Sequence, residues 1–165
     1  MQFIQSLDRG LFRLVSILAQ ILIVSSVAAA FYQVVTRFVL ESPADWSEAW
    51  SRASLIWAVL LGVALAFRQG AMLSVEVLRT SLKGTSQRIL EFFIMAVCVL
   101  FMGFLAWVGS SMAWRVRFQT MPSLEISISW IYLAIPVGAV LAIIAIVARW
   151  LEGAGDAPLD ESNAL

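Results

Sequence analysis

The chain has 165 residues, 61% of them hydrophobic and 13% charged, and its 11 basic and 11 acidic side chains cancel. Soluble domains carry about 25% charged residues, so a water-soluble core is excluded, and the neutral balance offers no basic footprint for nucleic acid. Histidine is absent and Cys98 is the only cysteine, which removes the commonest general base and metal ligand along with any internal disulfide.

Four runs, 14–36, 53–67, 92–114 and 126–148, contain no Asp, Glu, Lys, Arg or His. An α-helix needs about 20 apolar residues to cross roughly 30 Å of hydrocarbon, and backbone in lipid must satisfy its own hydrogen bonds. The pattern predicts an all-α membrane protein with one four-span domain over residues 1–150. Its spans are expected at about 13–37, 46–68, 88–114 and 126–149.

The first run follows Arg9 and Arg13 and passes through Ala28, Ala29 and Ala30, features shared with cleavable signal peptides. It then continues through Phe31, Tyr32, Val34 and Val35, longer than the usual signal core of about 7–15 residues, so a retained span is expected. The second run is short, but Ser42 followed by Pro43 offers a cap with proline at the first helical position. Asp45 and Glu48 offer a second start of capping-box form. Glu48 and Arg52 then make a favourable i,i+4 pair, and Trp46, Trp50 and Trp57 share a stripe whose first members suit the headgroup level.

Between the second and third runs, Ser74 is placed to cap a short interfacial helix carrying Val75, Leu78 and Leu82, with Gly84 to end it. In the fourth run Pro136 predicts a kink, which membrane helices tolerate. Gly138 and Ala142, and the series Ala58, Gly62 and Ala66 on the second span, have the small-residue spacing that lets helices approach in lipid. Residues 151–165, with Glu152, Asp156, Asp160 and Glu161 among Gly, Ala and Pro, read as a disordered acidic tail.

Basic residues set the expected orientation. Arg9, Arg13, Arg68, Arg79, Lys83, Arg88 and Arg149 fall on one side, and Arg37, Arg52, Arg115 and Arg117 on the other. Seven against four places both termini in the cytoplasm.

The spans also exclude chemistry. A self-sufficient transporter or proton pump usually carries an intramembrane carboxylate or base, whereas Glu48, Glu91 and Glu125 all lie at span ends. No base exists for an intramembrane serine nucleophile, and no histidine exists for haem. Ser25, Ser26, Ser110 and Ser127 could hold sodium only if they did not bond back to protein. An enzyme is not expected, nor any metal or cofactor. What remains is a protein that acts by shape and association.

Three stretches carry a family resemblance. Arg37-Phe38-Val39 precedes Trp46-Ser47-Glu48 and Arg52. Next, 62–71 (GVALAFRQGA) leads to 75–78 (VEVL). Finally, 122–126 (PSLEI) runs into 130–138 (WIYLAIPVG). In order and spacing these resemble the small membrane subunit, DctQ-like, of tripartite ATP-independent periplasmic (TRAP) transporters. The sequence departs from that pattern at Leu73, where the family often has histidine, and at Ala49, where a second acid often follows the first.

The resemblance implies a bacterial inner-membrane scaffold subunit that works with two partners besides the lipid bilayer. One is a large membrane subunit holding the substrate and sodium sites. The other is a periplasmic substrate-binding protein that delivers a small organic anion. It further implies that Arg37, Trp46, Glu48 and Arg52 contact a partner or fix the depth of the scaffold. The plainer reading has Glu48 and Arg52 pairing only with each other and the tryptophans only anchoring. A membrane anchor or assembly subunit for another envelope or redox complex is the alternative function.

Overall fold

The computed structural model describes the backbone of residues 2–42, 44–69, 85–123 and 125–155, and the side chains of 10–42, 44–69, 89–123 and 125–150. The helices are α1 (Gln2–Phe38), α2 (Asp45–Gln69), α3 (Thr85–Arg115), the four-residue α4 (Ser129–Tyr132) and α5 (Ala134–Gly155). Four segments are long and apolar enough to cross a membrane, Gly10–Phe38, Asp45–Gln69, Ile89–Arg115 and Ser129–Trp150, as the uncharged runs require.

Several boundaries differ from expectation for local reasons. Helix α1 begins at Gln2, well before the lipid-crossing run, because nothing between Gln2 and Arg13 breaks a helix. It closes on a widened turn, with the Leu40 N–H bonded to the Val35 carbonyl (3.3 Å) and the Ser42 N–H to the Thr36 carbonyl (3.1 Å). Glu41 takes a left-handed φ of 53° there, a conformation common just past helix ends. Ser42 therefore finishes α1 instead of capping α2, and Pro43 lies outside the described residues. The first turn of α2 is closed by Ser47, fully buried, whose hydroxyl donates to the Ala44 carbonyl at 2.6 Å. The capping-box role expected of Glu48 is displaced, since its two oxygens accept from Gln33 and Arg52.

The fourth span starts at Ser129, because the described residues between 119 and 128 (119–123 and 125–128) pair as a small hairpin instead. Ile128 N–H bonds the Gln119 carbonyl and Met121 N–H the Ile126 carbonyl, each at 2.9 Å, around an isolated bridge between Thr120 and Ser127. The Ser127 hydroxyl accepts from the Ser129 N–H (3.2 Å) and so starts the helix. The span is then interrupted at Leu133, between α4 and α5. Pro136 lacks the N–H that would have bonded the Tyr132 carbonyl, so the regular pattern lapses one turn before it. Past the lipid-crossing run, α5 continues to Gly155, five residues into the segment expected as a tail; residues 156–165 lie outside the described residues. So does the interfacial helix expected over 74–84.

In space the helices form a row in the order α1, α2, α5, α3. Helix α2 packs on α1 through Leu61, Val15 and Ala19, and on α5 through Ala64, Ala139 and Ala142, a cluster that Met102 of α3 joins. Small residues dominate the inner contacts: Ala64, Ala134, Ala142 and Ala145 are fully buried. Such residues let backbones approach closely in lipid, where no hydrophobic drive exists between helices. At Gly138, α5 comes close to the backbone of α2. A Cβ there would lie 2.8 Å from Leu60 Cβ and 3.1 Å from the Leu60 carbonyl oxygen.

The small-residue series on α2 is corrected by this packing. Ala58 is buried, 3% exposed. Gly62, however, has open space where a Cβ would stand, and Ala66 is exposed. The buried stripe of α2 runs through Ser47, Ser54, Ala58, Leu61 and Ala64, so among the described residues Gly62 and Ala66 lie off the packed face, outside the packing role expected of them. A glycine that sequence spacing did not flag, Gly109 on α3, takes that role. Its Cβ would meet Ile135 at 2.6 Å and Pro136 Cδ at 2.9 Å, so Pro136 packs on α3 as well as interrupting its own span.

Candidate functional site

Polar side chains concentrate where α1 ends, α2 begins and the 119–128 hairpin returns to α4. Along the α1–α2 seam they form a ladder. Nearest mid-span, the Ser26 hydroxyl donates to the Ser51 carbonyl and the Ser51 hydroxyl to the Ser26 carbonyl, both at 3.0 Å. One step outward, the Trp50 indole N–H donates to the Ser25 hydroxyl at 2.8 Å. Next, the Gln33 amide donates to Glu48 Oε2 at 3.2 Å, and Arg52 pairs with the other oxygen of Glu48. At the top, the Trp46 ring lies against Tyr32, with centroids 5.5 Å apart.

In hydrocarbon an unmet hydroxyl or amide is expensive, and here each rung meets its partner across two helices. Among the described residues no buried side-chain polar atom is left without a partner. The ladder thereby fixes the axial register of α1 against α2, which apolar packing alone specifies weakly.

On its other side α2 borders an open cleft of about 600 Å³, lined by Asp45, Glu48 and Arg52 from α2, Met121 and Ser123 from the hairpin, and Tyr132 beyond it. The hairpin wall is fixed by the Ser129 hydroxyl, which donates to the Ala113 carbonyl at 2.8 Å. Deeper, the Trp57 indole donates to the Trp130 carbonyl at 3.1 Å and ties α2 to α4.

Of the residues singled out from sequence, Glu48 and Arg52 form the expected ion pair on the cleft wall. Their side chains stay 46% and 74% exposed, which leaves the pair available to another molecule and of small value to stability. Trp46 turns to α1 instead of the cleft. Arg37 is separate, with its guanidinium 5.8 Å from the Phe38 ring centroid. The tryptophan stripe divides its partners, Trp46 and Trp50 meeting α1 and Trp57 meeting α4. Sequence reasoning missed Gln33, Ser51 and Tyr132. For Gln33 and Tyr132 the available signal was an amide or hydroxyl inside an otherwise apolar run, whereas Ser51 lies between Glu48 and Arg52, outside the runs.

The chemistry open to this site is narrow. Among the described residues no three His, Cys, Asp or Glu side chains gather to hold a metal ion. The four serines considered for sodium all bond to protein: Ser25 with Trp50, Ser26 with Ser51, Ser110 with the Trp107 carbonyl and Ser127 with the Arg117 carbonyl. A row of lipid-crossing helices held by small-residue packing and a polar seam, with a cleft lined by exposed charge at one end, defines a multi-pass membrane protein built to associate.

Comparison with known proteins gives the particular kind. Residues 26–155 match the family model of the DctQ component of tripartite ATP-independent periplasmic transporters. The chain is 30% identical over 141 residues to a Haemophilus influenzae protein assigned as a TRAP transporter small permease, covering 85% of this chain and 82% of that one. It is 25% identical over 122 residues to the sialic acid TRAP transporter small permease protein SiaQ of Vibrio cholerae, covering 74% of this chain and 70% of that one. The chain belongs to the DctQ family of TRAP small permease subunits. It is a component of an inner-membrane transporter, not an enzyme.

Proposed function

We propose that this chain is the fixed scaffold of a three-part importer. It pairs with a large membrane subunit that carries the substrate and sodium sites, and a soluble periplasmic protein delivers a small organic anion. The observation that carries this reading is the family match over residues 26–155, taken with four long runs, 14–36, 53–67, 92–114 and 126–148, that hold no Asp, Glu, Lys, Arg or His from which to build a transport site of their own. Both termini face the cytoplasm in this reading, by the seven-to-four division of basic residues. The cleft lined by Asp45, Glu48 and Arg52 then opens toward the periplasm, where a partner subunit or the binding protein reaches it.

The test is co-expression with the large subunit, purification in mild detergent and reconstitution into liposomes. The two membrane proteins are expected to elute together. Uptake of a labelled organic anion should require both of them, the binding protein and an inward sodium gradient. Uptake by this chain alone, or full uptake by the large subunit without it, would refute the assignment.

A further inference from the structure

The end of α3 carries a cluster that the scaffold role leaves unused. The third uncharged run ends at Trp114, and Arg115, Val116, Arg117 and Phe118 follow. The Arg117 guanidinium lies 3.9 Å from the Trp114 ring centroid and 4.6 Å from that of Phe118. Both rings are largely uncovered, Trp114 at 70% and Phe118 at 82% exposed. The backbone beneath them is fixed, because the Ser127 hydroxyl donates to the Arg117 carbonyl at 2.9 Å and the Gln119 N–H to the Val116 carbonyl at 3.0 Å. Neither Arg115 nor Arg117 is ion-paired among the described residues.

We propose that Arg115 and Arg117, collared by Trp114 and Phe118, form a binding site for the phosphate of an anionic phospholipid in the leaflet at that end of α3. The position carries the argument. Hydrocarbon gives way to headgroups where an uncharged run meets arginine, and amphipathic rings are favoured at that depth. Beside both rings, the Arg117 guanidinium is held by cation–π contact. Its N–H edges remain free, and a guanidinium edge matches a phosphate in a two-bonded fork. Arg115 adds a second charge beside it, and exposed Phe118 supplies a surface for acyl chain. A protein carboxylate would satisfy the same edges, but a lipid phosphate is present at this depth all around the molecule.

The full chain, purified in detergent, is titrated with phosphatidylglycerol or phosphatidylcholine, and native mass spectrometry counts retained lipid. Phosphatidylglycerol should be retained in preference. That preference should fall roughly fivefold for each arginine removed in Arg115→Gln and in Arg115→Gln/Arg117→Gln. Arg117→Lys keeps the charge but loses the planar fork, and should fall between wild type and Arg117→Gln. Trp114 emission, isolated by subtracting the Trp114→Phe spectrum, should be quenched more by brominated phosphatidylglycerol than by brominated phosphatidylcholine. Equal retention of the two lipids by wild type overturns the proposal. So does an undiminished preference in the double variant, or a double variant that binds the lipid normally yet no longer elutes with the large membrane subunit.

Discussion

Adding one methyl group at Gly138 or at Gly62 should move stability in opposite directions. At Gly138 a new Cβ would stand 2.8 Å from Leu60 Cβ, 3.1 Å from the Leu60 carbonyl oxygen and 3.3 Å from its carbonyl carbon. None of these atoms is the far end of a flexible side chain, so relief requires α2 and α5 to separate by several tenths of an ångström. That separation would loosen the cluster of Ala64, Ala139 and Ala142. Overpacking of this kind costs about 1–3 kcal/mol. At about 2–4 °C per kcal/mol for a chain of this size, Gly138→Ala should melt roughly 5 °C below wild type. Gly62 has open space around the same position, and replacing a mid-helix glycine by alanine gains about 0.5–1 kcal/mol of backbone entropy. Gly62→Ala should therefore match or exceed wild type. Both melting points can be read by fluorescence-detected size exclusion after a heating series in one detergent. If Gly138→Ala melts with or above Gly62→Ala, the α2–α5 contact is not as close as described and the packing argument fails.

Two further expectations concern the polar seam. Ser26→Ala and Ser51→Ala should each cost about 0.6–1.7 kcal/mol, because each removes one hydroxyl donation to the opposite backbone carbonyl while the reciprocal bond survives. Only the 3.2 Å contact between the two hydroxyls is lost in either variant, so a double-mutant cycle on thermal melting should show near-additive costs, and a double variant that melts like either single one would refute the two separate bonds. Arg52→Gln should change melting by less than about 1 kcal/mol, since its ion pair with Glu48 is largely exposed. If the cleft receives a partner, the same variant should lower recovery with the large subunit in a pull-down, and unchanged recovery would confine the pair to local use.

What could be read in advance followed the range of each signal. Charge-free length is a property of one segment, so all four spans were legible from 14–36, 53–67, 92–114 and 126–148. The Glu48–Arg52 pair and the interruption ahead of Pro136 were equally local. The order of helices in the row was not legible, because the flank of α3 turned to lipid and the flank turned to α5 are both apolar, and hydropathy cannot tell them apart. For the same reason Gly62 seemed a contact and Gly109 passed unnoticed. Glycine spacing records which faces are small, whereas the helix opposite decides which small face is used. The Ser26–Ser51 clasp joins residues 25 apart in sequence, and no local pattern announces its pairing.

The 37 residues of α1 also have a geometric consequence. At about 1.5 Å per residue the rod measures roughly 55 Å, against about 30 Å of hydrocarbon. Leaning alone would hide it only at an inclination near ~57°, steeper than the range of about 0–40° adopted by such helices. Its first few turns, ahead of Arg13, must then stand clear of the oil as a stalk. A fluorophore or affinity handle fused before Gln2 would ride on that stalk, well away from the seams that hold the row together.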